Sequence, residues 1–150
     1  MKHLLGLGRT SLILSLSMLF SPFSLGFDLS NYSTSLDYAQ VKQVKAVQSA
    51  NKSWCFHTTV RHNDQSWKHY ADEWQVIDLE GNALGVRPLA HPLDNELPFT
   101  RSKCGIQIPQ SITKVAVRAK CNVHGYGGKP IIVDLTASKG DGYSVSRINE

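Results

Sequence analysis

The sequence predicts an all-β fold, an antiparallel β-sandwich of immunoglobulin-like or fibronectin-like outline. Three observations lead there. Between Trp54 and Leu135 apolar residues recur at every second position over short runs, the period of a half-buried strand. Glycine and proline separate those runs at regular intervals, as in all-β domains. The 150 residues, less an N-terminal leader, have the length of one domain with a single core.

The leader comes first. Met1-Lys2-His3 and Arg9 give a basic start, Ser11 to Phe20 form an apolar run, and Ser24-Leu25-Gly26 supplies small residues where a cleavage site requires them. This is the layout of a secretory signal peptide over residues 1–26, and it directs the chain to the periplasm or the medium. The run is well short of the roughly 20 apolar residues of a spanning helix, and no cysteine follows it to carry a lipid. The formal net charge of +4 counts Lys2 and Arg9 of the leader. What remains is mildly basic, without the clustered Lys/Arg face of nucleic-acid binders.

Residues 27–53 read as a linker. Within it, from Leu36 to Ala50, Tyr38, Val41, Val44 and Val47 stand three apart among Gln, Lys and Ala, which predicts a short helix. The sandwich is expected over residues 54–136. Trp54, Phe56, Thr58 and Val60 form one face of a strand whose other face carries Cys55, His57, Thr59 and Arg61. His62 continues the inward series, where an imidazole requires a partner. Trp74 to Leu79 and Ala83 to Arg87 flank Glu80-Gly81-Asn82 as a hairpin. Pro88, Pro92 and Pro98 mark a long connection, and Ile106-Gln107-Ile108 a brief strand. Thr113 to Cys121 alternates most cleanly, with Val115, Val117, Ala119 and Cys121 inward; Pro130 to Leu135 is the last core strand. Residues 137–150, rich in Ser, Gly and Asp, read as a frayed tail.

Chemistry concentrates between Arg61 and Trp74. His62 and Asp64 share one face of an extended chain, and His69, Asp72 and His91 converge on them if the two long loops lie at one end of the sandwich. Imidazole and carboxylate donors there would suit Zn²⁺, or Cu²⁺ where nitrogen dominates, with His62, His69 and His91 as the ligand set. The competing reading is that these side chains hydrogen-bond the loop and fix its shape. Trp67, Tyr70 and Trp74 present either an aromatic platform for a ligand or a plug over the core. Glu96 and Arg101 flank a Pro-containing turn, and Arg101 is expected to pair with Glu96, Asp64 or Asp72. His124 before Gly125-Tyr126-Gly127-Gly128 is a turn rather than a phosphate loop, and His57 reads as solvated.

Three cysteines, Cys55, Cys104 and Cys121, leave one unpaired in an exported chain, and no Cys-x-x-Cys occurs. Cys104 with Cys121 is the expected pair, with Cys55 free to form an intermolecular disulfide and a dimer. Ser66, His69 and Asp72 name a hydrolytic set, and Cys55 with His57 a thiol–imidazole pair. Neither has a supporting motif, such as a Gly-x-Ser-x-Gly elbow, and no enzyme is expected.

Five segments carry a resemblance: Val60-Arg61-His62-Asn63-Asp64, residues 67–76 (WKHYADEWQV), residues 89–92 (LAHP), residues 96–102 (ELPFTRS) and residues 123–128 (VHGYGG). Together they resemble a family of small exported bacterial proteins over Trp54 to about Leu135. The resemblance implies an exported single-domain β-sandwich without an assigned catalytic mechanism. In that family a second histidine often follows the His-Pro pair, where this chain carries Leu93, and the three cysteines stand outside the family pattern. The expectation is therefore a non-catalytic binding or accessory module of the cell envelope. Its partner would be an envelope protein or a small ligand, bound at the 61–74 and 88–102 loops. The alternative is a small metalloprotein built on the loop histidines.

Overall fold

The computed structural model describes residues 28–93 and 98–149; the expected leader, residues 1–26, and Glu96 lie outside the described residues. Nine strands make two sheets. They are β1 (Gln40–Gln48), β2 (Trp54–Arg61), β3 (Ala71–Ile77), β4 (Ala83–Pro88), β5 (Phe99–Ile106), β6 (Lys114–Cys121), β7 (Ile131–Asp134), β8 (Lys139–Gly140) and β9 (Tyr143–Arg147). One sheet has the order β5-β2-β1-β9-β8, the other β4-β3-β6-β7. Every pairing is antiparallel except that of β1 with β9. Val44, Phe56 and Val60 from the first sheet and Trp74, Val76, Val115, Val117 and Val133 from the second are fully buried in one core. Each such side chain contributes about 1.5–3 kcal/mol by leaving water. The predicted sandwich is the observed architecture.

The predicted helix over Leu36 to Ala50 is instead β1. Its three-residue spacing has a different origin. The register against β2 shifts between Val41 and Gln43, a bulge that adds one residue to the strand. Val41 and Val44 therefore both face inward although three apart, and Ala46 follows in ordinary alternation. β-branched valines favour this extended form. Residues 27–53 are thus no mere linker, since β1 lies in the interior of its sheet.

The tail is corrected in the same way. From Tyr143 to Arg147 it forms β9 beside β1 and buries Val145. The brief strand expected at Ile106 to Ile108 begins earlier, at Phe99, as edge strand β5.

β5 also decides the disulfide. It pairs with β2 with a register shift opposite Trp54 to Phe56, where Gly105 takes φ +72°. Cys104 stands beside Cys55, and these two form the bridge. The expected Cys104–Cys121 pair does not form because Cys104 is exposed on β5 beside Cys55, whereas Cys121 points into the core from β6 on the other sheet. Cys121 is the free, buried thiol, and with Cys55 already bridged the expected Cys55-linked dimer falls away.

Candidate metal centre

The site lies at the ends of β2 and β6, beneath the loop that enters β3. His62 follows the last residue of β2 in inward phase and is 0% exposed. Its Nδ1 is 2.6 Å from Asp64 Oδ1. A carboxylate has no proton to give, so the hydrogen of neutral His62 sits on Nδ1 and Nε2 presents a lone pair. Asp64 is itself fixed by the backbone: Ala71 N donates to Oδ1 at 3.0 Å and Leu93 N to Oδ2 at 2.8 Å. Burial works against ionisation of Asp64, but the bonds from His62, Leu93 and Ala71 outweigh it and hold the carboxyl below the usual range.

His69 arrives from the loop. Gln65 N donates to His69 O at 2.6 Å, and Ser66 accepts a left-handed backbone with φ 57°. Asn122, directly after β6, clamps the same loop. Its Nδ2 donates to Trp67 O and Lys68 O at 3.3 Å each, and its Oδ1 accepts from Tyr70 N at 2.9 Å. His69 Nε2 is thereby held 3.2 Å from His62 Nε2, with the rings edge to face.

Cys121 is the third donor. It ends β6 on the inward face, 1% exposed, and the backbone N–H of His124 donates to its Sγ at 3.1 Å. Donor atoms of His62, His69 and Cys121 all lie within 4.8 Å of one another. The carbonyl oxygen of Asp37 completes the set, 3.2 Å from His62 Nε2, 3.1 Å from His69 Nε2 and 3.6 Å from Cys121 Sγ. Asn63 N donates to Leu36 O at 3.0 Å, which ties the Asp37 segment to the end of β2.

These donors could hold a metal ion. Metal–nitrogen bonds of about 2.0–2.1 Å in a tetrahedron place two nitrogens about 3.3 Å apart, and a thiolate at about 2.3 Å lies slightly farther from them. The two Nε2 atoms, one carbonyl oxygen and one sulfur are gathered within a few ångströms of one another. Protons can bridge some of these pairs; one cation would engage all four. Were an ion held there, the Asp64–His62 bond would supply the outer carboxylate that orients the imidazole and raises its basicity.

Of the three histidines expected to converge, His62 and His69 come together and His91 does not. His91 is exposed, with Nδ1 2.9 Å from the oxygen of Pro92, and is not among the converging donors. It lines a separate hollow with Arg87, Leu89, Leu93 and Arg101. Of the other expected residues, Arg61 is exposed at the end of β2 opposite Gln40. Asp72 is gripped by Lys120 Nζ, 2.7 Å from both oxygens, so the hydrolytic grouping with Ser66 and His69 does not form. Arg101 donates to Thr100 O at 2.9 Å and lies 5.8 Å from the Phe99 ring.

The aromatic trio divides. Trp74 is core, 0% exposed, whereas Trp67 is 63% exposed and meets Tyr70 edge-on at 5.6 Å. No helical turn unites them. Two contributors escaped the sequence reading: Cys121, whose inward phase was visible, and the Asp37 carbonyl, which no side-chain pattern marks. His124 also belongs to the surroundings, its ring 5.0 Å from both His69 and Tyr38.

No family model and no solved structure matches the chain. It is 40% identical over 96 residues to a protein of Halomicrobium mukohataei named "Putative lipoprotein". The aligned stretch covers 64% of this chain and 47% of that protein, so the chain spans about half the length of the curated relative it matches.

Proposed function

We propose that this protein is an exported, non-catalytic metal-binding module of the cell envelope that holds one copper or zinc ion through His62, His69 and Cys121. The carrying observation is the 3.2 Å approach of two imidazole Nε2 atoms, one anchored by Asp64, beside a buried thiol. Two imidazoles and one thiolate suit copper and zinc and discriminate against magnesium and calcium, which take oxygen shells. The leader-like N-terminus and the lipoprotein name of the relative both agree with an envelope location.

Titration of chelator-stripped, untagged protein tests the reading. One equivalent of Cu²⁺ or Zn²⁺ should bind and raise the melting temperature, and the copper form should show thiolate-to-metal charge-transfer absorption that Cys121→Ser removes. Absence of both stoichiometric binding and a thermal shift would refute it.

A further inference from the structure

A second chemical grouping lies on the outer face of the β5-β2-β1-β9-β8 sheet, independent of the metal reading. The Cys55–Cys104 bridge joins β2 to edge strand β5, with Cys55 half-buried and Cys104 exposed. His57, two residues along the same strand and so on the same face, places Nε2 3.7 Å from Cys55 Sγ. Its Nδ1 is 2.6 Å from the hydroxyl of Ser102, the residue directly across on β5. When that hydroxyl donates to Nδ1, the ring proton resides on Nε2 and faces the sulfur. Ser102 is steadied in turn by Arg87, whose Nε donates to its carbonyl at 3.0 Å. Lys45 of β1 stands opposite His57 in register and adds positive charge to the same face.

We propose that Cys55–Cys104 is a thiol–disulfide exchange site, with His57 as the hydrogen-bond donor to Cys55 Sγ and Ser102 as its positioning residue. The two sulfurs differ in ways that fix the direction of attack. Cys104 is open to an incoming nucleophile, and Cys55 has the N–H that stabilises a departing thiolate. A thiolate of a partner dithiol bonds to Cys104 Sγ as the Cys55–Cys104 bond breaks. The electron pair of that bond passes to Cys55 Sγ, whose thiolate the His57 Nε2–H stabilises by hydrogen bonding until solvent protonates it. The partner's second thiol then displaces Cys104. The partner leaves as a disulfide and this chain as a dithiol, a two-electron exchange that requires neither a metal nor Cys121.

The test uses glutathione as the probe on the folded protein, with acid quench, alkylation and peptide mapping. The mixed disulfide should form on Cys104 with Cys55 recovered as the alkylated thiol. Cys121, 1% exposed, should stay unreacted. His57→Ala should slow mixed-disulfide formation about 10-fold, the loss of a positioned N–H at the departing thiolate, while its melting temperature stays at the wild-type value. His57→Gln, which keeps an N–H, should recover part of the rate. A mixed disulfide equally on both sulfurs or mainly on Cys55, an unchanged rate in His57→Ala, or a rate that climbs steeply with sub-denaturing urea would each overturn the proposal. Failure of the wild type to bind copper or zinc would sink the metal reading and leave this one standing.

Discussion

Replacing Asp64 with Asn separates a metal-orienting carboxylate from a mere loop brace. The side chain is nearly isosteric, so the loop can still close around it. Asp64 accepts from His62 Nδ1 and Ala71 N on one oxygen and from Leu93 N on the other. An amide oxygen can keep the first two, but the amide nitrogen then meets Leu93 N donor to donor, and one buried N–H loses its partner. That costs about 1–3 kcal/mol of folding stability. The charge on the far side of the imidazole also disappears. An outer-shell carboxylate of this kind is worth about 10- to 100-fold in metal affinity. Competition against a chromophoric chelator gives the affinity, and urea denaturation of the metal-free protein gives the stability. The expected result is loss in both. Wild-type affinity alongside reduced stability would show that Asp64 serves only the loop and would refute the orienting role.

Other outcomes follow from the packing. Trp74→Ala should destabilise by about 3–5 kcal/mol in chemical denaturation, because its side chain is wholly inside the core. Gly128→Ala should be worse than Gly85→Ala. A Cβ at Gly128 strikes the backbone carbonyl of Ala39, whereas one at Gly85 meets the buried, β-branched Ile106 side chain, with Cδ1 at 2.6 Å and Cγ1 at 2.8 Å, which must repack; losses of about 2–4 and about 1–3 kcal/mol are expected in denaturant midpoints. Asp78 caps the β3–β4 turn, bonded by the Asn82 side chain and by the backbone N–H groups of Asn82 and Glu80. Those bonds, the Asn82 side chain foremost, hold its carboxyl below the ordinary value. Its stabilisation is therefore full above the unfolded value of about 3.9 and is lost as pH falls through the lower folded one. Melting temperatures should fall on acidification below about pH 4, less steeply in Asp78→Asn. Replacing both Cys55 and Cys104 with Ser should cost about 4 kcal/mol, since the bridge closes a loop with a sequence separation of 49; equal midpoints for the variant and the wild type would contradict this.

Strands β2 and β6 were legible in the sequence because β2 alternates strictly in burial and β6 alternates from Val117 onward, after Val115 and Ala116 are buried in succession. β1 was not, since a bulge shifts its phase and imitates a helical spacing. β5 was hidden for the opposite reason. As an edge strand it buries only its terminal residues, Phe99 and Ile106, leaving no alternation to read, and the neighbouring prolines suggested a loop. Missing β5 meant misassigning the disulfide, as pairing depends on which strands are neighbours. At the site, the inward phase of His62 rightly demanded partners, and the His62–Asp64 relation was visible in their spacing. Cys121 had the same inward phase, but the disulfide arithmetic had already spent it. The Asp37 carbonyl could be found only in three dimensions, because every residue carries that group.

The parallel pairing of β1 with β9 has a consequence for how the molecule comes into being. β1 acquires its second neighbour from a segment near the far end of the described chain, as in the contact of Gln48 with Arg147, 99 residues apart in sequence. Pairings of such long range are closed late, after much loop entropy has been surrendered. A chain emerging in order from its N-terminal side therefore holds β1 half-paired until β9 arrives. The sheet that carries the disulfide is complete only once β9 has paired with β1.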